Sequence, residues 1–218
     1  MGIQESLKFS NLRVCRLMVF FWVLLLSSIL CQFILSAVRA LAQTTSSESS
    51  AVSIRVPDAE LIDQDGRTVH LYSDLVKGRK VVVINTMFTT CGTICPLIGV
   101  RMSHLQESLG ACGPNDYSLI SITVDPATDT PERLRNWEAK FASGPCWKLL
   151  TGPKSEVDAA LRTLHLLPPD KTSHTPSALI GRDGADDWTL FDVLASQEKL
   201  LQIVRMKMST SVAQKGTK

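Results

Sequence analysis

Hydrophobic and polar positions follow distinct patterns along the chain, and each pattern predicts a different kind of element. The 22 residues between Arg16 and Arg39 carry no charge and include the run Leu17-Met18-Val19-Phe20-Phe21-Trp22-Val23-Leu24-Leu25-Leu26. About 20 apolar residues suffice to cross a bilayer, so residues 17–38 predict a transmembrane anchor. The polar stretch T-T-S-S-E-S-S at 44–50 has no apolar period, and residues 43–51 read as a flexible tether. Two short alternating runs follow, Glu60–Asp63 and Thr68–Leu71, on either side of Gln64-Asp65-Gly66-Arg67. An Asp-Gly pair between alternating runs predicts a hairpin. Val81–Ile84 is continuously apolar and β-branched, which predicts a strand buried on both faces. Tyr117–Val124, Trp147–Gly152, Ser177–Ile180 and Trp188–Phe191 are the later strands. Helical periods lie between them. Leu97–Leu109 ends at Gly110, and Asp129 with Glu132 reads as a capping box for a helix through Phe141. Val157–Leu167 is stopped by Pro168-Pro169, Glu198–Met208 closes the fold, and 209–218 reads as a disordered tail.

Strands alternating with helices predict an α/β domain over 52–208, a mixed sheet with helices on both faces. A cysteine pair after the central strand and a proline just before a late strand make the arrangement thioredoxin-like. Pro176 is the candidate for a cis-proline facing the cysteines.

Charge refines this picture. The net charge of +2 hides a division: residues 1–42 carry Lys8, Arg13, Arg16 and Arg39 against Glu5, while 43–218 hold 19 basic and 20 acidic residues. A near-neutral body excludes a phosphate backbone as its natural partner, so no nucleic acid is expected. The basic residues ahead of the apolar run place residues 1–16 in the cytoplasm and the body outside it. That predicts a single-pass protein of a bacterial inner membrane, with its domain facing the periplasm. Ala40-Leu41-Ala42 also looks like a signal-peptidase site, which would leave a soluble periplasmic protein beginning at Gln43. In either case disulfide chemistry is open to the body.

The candidate chemistry begins where the central strand ends. Asn85, Thr86, Thr89 and Thr90 lead to Cys91 and Cys95, and Pro96 follows at once. Proline suits the first turn of a helix, so both sulfurs fall at a helix N-terminus, where the macrodipole favours thiolate. Thiolates bind soft metals and attack disulfides. A structural disulfide or two inert thiols are the plainer readings of the pair. His174, in the polar loop before the Ser177 strand, adds an imidazole. Two sulfurs and one nitrogen suit copper, because sulfur holds Cu(I) and the nitrogen makes Cu(II) tolerable. Asp125 lies at the carboxyl end of its strand, where ligands of open α/β sheets sit. His70 reads as surface or core filler, His104 and Met102 as helix-face residues, His165 as structural, and Met206 and Met208 as apolar packing at a helix end. Cys15 and Cys31 belong to the apolar N-terminal segment. Cys112 and Cys146 each precede a strand and predict a structural disulfide at the end opposite the site, with two separate thiols as the alternative.

The chain resembles the SCO/SenC family of copper chaperones for cytochrome c oxidase assembly. The resemblance rests on Phe88-Thr89-Thr90-Cys91-Gly92-Thr93-Ile94-Cys95-Pro96, on Thr123-Val124-Asp125-Pro126 with Asp129-Thr130-Pro131-Glu132, on Leu150-Thr151-Gly152, and on His174-Thr175 before a strand ending in Gly181-Arg182-Asp183-Gly184. It implies a tethered thioredoxin-like domain holding copper through Cys91, Cys95 and His174, with Asp125 behind the site or contacting a partner. It also implies a periplasmic copper donor and, as recipient, the copper subunit of a terminal oxidase. Pro176 after His174-Thr175 brings the loop closer to that of a thiol-disulfide oxidoreductase. The alternative function is therefore to cycle Cys91–Cys95 and keep a partner's copper-site cysteines reduced. A peroxidase of the same fold would need an arginine beside Thr89 or Thr90, and the sequence shows none that is convincing.

Overall fold

The computed structural model describes Trp22 and residues 25–32, 49–113, 116–141, 144–170, 173 and 175–215, with backbone alone from 211 on. Two compact units result, 1–47 and 48–218. In the first, Trp22 and residues 25–32 are helical, and Trp22, Leu25, Leu26, Ile29 and Leu30 are exposed. Among the described residues no helix is long and apolar enough to cross a membrane, and most of the expected 17–38 span lies outside them.

The second unit alternates strands and helices along the chain. Strand β1 (Ser49–Ser53) is followed by β2 (Glu60–Asp63), β3 (Thr68–His70) and a short helix α1 (Leu71–Leu75). Next come β4 (Val81–Met87), α2 (Ile94–Leu109), β5 (Tyr117–Thr123) and α3 (Pro131–Glu138). The chain finishes with β6 (Trp147–Thr151), α4 (Lys154–Thr163), β7 (Ser177–Gly181), β8 (Asp187–Asp192) and α5 (Gln197–Lys215).

All eight strands form one sheet in the order β1-β8-β7-β4-β5-β6-β2-β3. β4, β5 and β6 are parallel, with Val81 opposite Tyr117 and Met87 opposite Thr123; β7 joins β4 antiparallel. The mixed sheet expected from the alternating pattern is therefore present. Successive β4 side chains point to opposite faces, so a continuously apolar strand implies a core on each. Val81, Val83 and Met87 pack with Ile98, Met102 and Leu105 of α2, with Leu134 and Trp137 of α3 and with Leu200 and Val204 of α5. Val82 and Ile84 face the other way, onto Leu71 and Leu75 of α1 and Val157 and Leu161 of α4. The cores are tight: a Cβ at Gly99 would fall 2.6 Å from the Phe141 ring.

Several elements differ from the pattern-based expectation. β4 continues through Asn85 and Thr86, both buried, where a loop was expected to begin. Asn85 stays in the sheet because its Oδ1 accepts from Ser121 Oγ at 2.8 Å, and Ser121 Oγ accepts from the Trp147 indole at 2.9 Å. The hairpin forms, with Gly66 in the left-handed region at φ 79°, but its second strand stops at His70 and Leu71 opens α1. Helix α4 ends at Thr163 rather than Leu167. His165 adopts φ 56°, and the Leu166 and Leu167 amides return to the Leu161 carbonyl. The last residues of the expected tether pair with β8 as strand β1, and α5 runs past Met208 into the expected tail. The N-cap falls one residue later than expected, and no capping box forms there, since Arg133 stands at N3. Thr130 is the N-cap of α3, accepting from the Arg133 amide at 3.3 Å, with Pro131 in the first turn, so Asp129 is freed for another task. No cis bond precedes Pro176: every peptide among the described residues is trans. The chain reverses there through a tight turn, in which the Ser177 amide donates to the Thr175 carbonyl at 2.7 Å.

Candidate metal centre

Cys91 lies in the short loop that leaves β4, and Cys95 on the first turn of α2. The first amides of any helix lack intrahelical acceptors and need a cap. Thr93, at the N-cap position of α2, makes no side-chain capping bond. Sulfur takes that role instead: the Cys95 amide donates to Cys91 Sγ at 3.3 Å, and Thr93 Oγ1 lies 3.9 Å from it. Both thiols are free and buried, Cys91 at 8% exposure and Cys95 at 0%.

Their acidities diverge. Burial works against ionising Cys91, but the hydrogen bond from the Cys95 thiol and the amides of Cys95, Thr93 and Ile94 outweigh it and hold Cys91 below the ordinary thiol range. Cys95 is pushed up to about 12, first by burial and then by donating its proton to Cys91; the negative charges of Cys91 and Asp129 add to this. The pair thus consists of one thiolate-forming sulfur near the surface and one proton-holding sulfur beneath it.

Asp129 is a member of this site that the sequence pattern hid. It is fully buried, and its carboxylate accepts from the Thr89 amide at 3.1 Å, from the Thr89 hydroxyl and from the Thr123 hydroxyl. It therefore ties the cysteine loop to the end of β5. The local Asp-x-x-Glu spacing suggested only a helix cap; the expectation of a buried partner would have needed the fold. Asp125 is half-buried on the same loop. Its amide donates to Thr123 Oγ1 at 2.9 Å, and its carbonyl accepts from the Thr128 and Asp129 amides. Arg133 supplies the arginine absent from the sequence-level peroxidase reading, donating through Nε to Thr89 Oγ1 at 3.3 Å. That hydroxyl is already committed to Asp129, so the Thr–Arg pair is engaged in structure rather than offered to a substrate.

His174 lies outside the described residues. Among the described residues no three His, Cys, Asp or Glu side chains converge as a metal site. The other described histidines are all exposed: His70 at the end of β3, His104 on α2, and His165 just past the end of α4 rather than within it. Met102 is buried in the core, whereas Met206 is 56% exposed. Cys112 and Cys146 are joined as a disulfide, with Cα atoms 6.0 Å apart. The bridge precedes β5 and β6, at the end of the parallel strands opposite Cys91.

Comparisons with known proteins agree with this geometry. Over 131 residues the chain is 36% identical to the SCO1 protein homolog of Bacillus subtilis, a match covering 56% of this chain and 66% of that protein. A SCO2-like protein of Rickettsia typhi is 34% identical over 106 residues, 48% of this chain and 49% of its own length. The chain thus spans less than two thirds of these relatives. Among solved structures, BsSco, described as a member of the Sco family of cytochrome c oxidase assembly proteins with a disulfide switch, superposes with TM-score 0.59 at 26% identity, covering 73% of this chain and 96% of that one. ScoI of Bradyrhizobium japonicum, solved with copper bound, shares the fold with TM-score 0.58 at 21% identity over 72% of this chain and 99% of its own. The SCO1/SenC family model matches residues 48–209, nearly the whole second unit, and the chain belongs to that family.

Proposed function

We propose that the protein carries one copper ion as cargo between Cys91 and Cys95, with His174 as third donor, and delivers it to the copper centre of a terminal oxidase. The observation that carries this reading is the thiol pair at the start of α2, outside any disulfide, with Cys91 held below the ordinary thiol range, against its burial, by the Cys95 thiol and the helix amides. Two sulfurs favour Cu(I), and an imidazole from the loop before β7 would admit Cu(II) as well. A site with few donors suits a carrier, because an incoming ligand can enter before an outgoing one leaves. The copper named for relatives such as Bradyrhizobium ScoI supports the cargo, and the assembly role named for BsSco supports the destination. Residues 17–38 would tether the domain at the membrane, and Asp125 would face the partner.

The difference in acidity between the thiols favours a second reading, thiol-disulfide exchange with the partner's copper-site cysteines. Cys91 thiolate attacks one sulfur of the partner disulfide, a mixed disulfide forms, and a partner thiolate leaves and takes a proton. Cys95 then loses its proton and attacks Cys91 Sγ. The second partner thiolate is released, and the two electrons the partner gains are those lost as Cys91–Cys95 closes.

Copper binding by the reduced full-length chain separates the two. One copper per chain, with a Cu(II)–thiolate absorption band that disappears in His174→Ala, is the expected result for the carrier. Weak binding, or equal binding without His174, would leave thiol exchange as the function.

A further inference from the structure

Beside the cysteine loop a cavity of about 300 Å³ opens between Thr89 and α3, lined by Arg133, Asn136, Trp137 and Lys140. Arg133 and Asn136 lie one turn apart on α3, and Lys140 follows in the turn just past its end, where its amide donates to the Trp137 carbonyl at 3.2 Å. All three are exposed, while Trp137 is buried and forms the floor. Among the described residues neither cation is in an ion pair. Of the other charged residues of α3, Arg135 pairs with Asp65 at 3.9 Å and Glu138 accepts from Gln64 at 3.0 Å, while Glu132 is exposed in the first turn and does not line the cavity. Asp129, the acid behind this wall, is sealed off by Thr89 and Thr123. The lining itself combines two positive charges and a side-chain amide with no carboxylate among them.

Its position gives it a use. Arg133 Nε binds Thr89 Oγ1, and Thr89 is two residues from Cys91. A ligand on the guanidinium is thereby connected to the loop that presents the sulfur. We propose that this cavity docks an acidic segment of the protein that exchanges cargo or electrons at Cys91. One partner carboxylate would lie on the terminal nitrogens of Arg133 and a second acceptor on Lys140 and Asn136. A shallow, open hollow of this size fits one or two carboxylate side chains; a lipid surface or a nucleic acid would call for a broad basic face, and the body of the chain is slightly acidic. Docking here deepens the reading above, since it supplies recognition next to the transferring sulfur, but the contact itself needs no metal.

The test is therefore run without copper. The reduced, metal-free full-length chain is titrated with acetyl-tetraglutamate amide, and amide and indole signals are followed by NMR; the tetraglutamine peptide is the neutral control. The expected result is a saturable shift confined to the Thr89 amide, the Asn136 side-chain amide and the Trp137 indole, weakened by salt and absent with tetraglutamine. The Arg133→Gln, Lys140→Gln double variant should bind about tenfold more weakly. Arg162→Gln, the same type of charge loss on α4 across the sheet, should bind as the parent does. Shifts spread evenly over the surface, or unchanged by the double variant, would overturn the dock. Copper stoichiometry of the double variant is read separately and should remain that of the parent. A chain that binds the peptide but no copper would refute the carrier and spare the dock.

Discussion

The two ends of the parallel strands β4, β5 and β6 each hold a cysteine pair, and the pairs are put to opposite uses. At the amino end Cys112 and Cys146 are consumed in a bond that crosses from the exit of α2 to the entrance of β6. At the carboxyl end Cys91 and Cys95 are separated by a single turn and stay free. The difference lies in what surrounds each sulfur. Cys91 is met by helix amides that stabilise its anion, and Cys95 is sunk where its proton is hard to remove. Proximity alone does not decide between cross-link and reagent; the hydrogen bonds offered to the anion do.

The comparison can be broken most severely at its reactive end. Cys91→Ser or Cys95→Ser should reduce copper affinity by more than ~100-fold, since losing a ligand exceeds the loss of its supporting contacts. Equilibrium dialysis against a competing chelator measures this, and the melting temperature should hardly move. At the other end the result should be reversed. Cys112→Ser with Cys146→Ser opens a loop of 34 residues' separation, which should cost ~3–4 kcal/mol and about 10 °C in melting temperature, with copper binding retained.

Asp129→Asn tests the link between loop and sheet. The isostere keeps the packing but turns half of an acceptor group into a donor facing Thr89 or Thr123, at ~2 kcal/mol by urea unfolding. Removal of its negative charge should also lower the Cys95 titration, followed by thiolate absorbance in Cys91→Ser with and without Asp129→Asn. The mildest test is a labelling order. With limiting iodoacetamide near neutral pH, mass mapping of the reduced chain should find Cys91 modified before Cys95. Cys91 labelling should rise with pH from below the usual thiol range, and that of Cys95 only near its own, much higher value.

What could be read from the sequence follows the same division between local and distant causes. The β4 run, the Asp-Gly hairpin and the thiols before Pro96 are local signals, and the structure places strand, turn and helix start where they point. Asn85 looked like loop because its side-chain oxygen is answered by Ser121 of β5, itself bonded by Trp147 of β6, and neither is near it in sequence. Strand β1 is polar and reads as tether until β8 lies beside it. Asp129 is the clearest case. Two readings share one spacing, and only the folding of Thr89 and Thr123 around the carboxylate separates them.

The disulfide also has a topological consequence. Residues 113–145 lie inside a covalent ring that contains β5, Asp125, Asp129 and the whole of α3. A protease that cuts once within this ring, in the segment between α3 and β6 for instance, releases no fragment. The nicked chain migrates as one molecule until a reductant opens the ring, so the side of the domain that supports the cysteine loop can be severed without being lost.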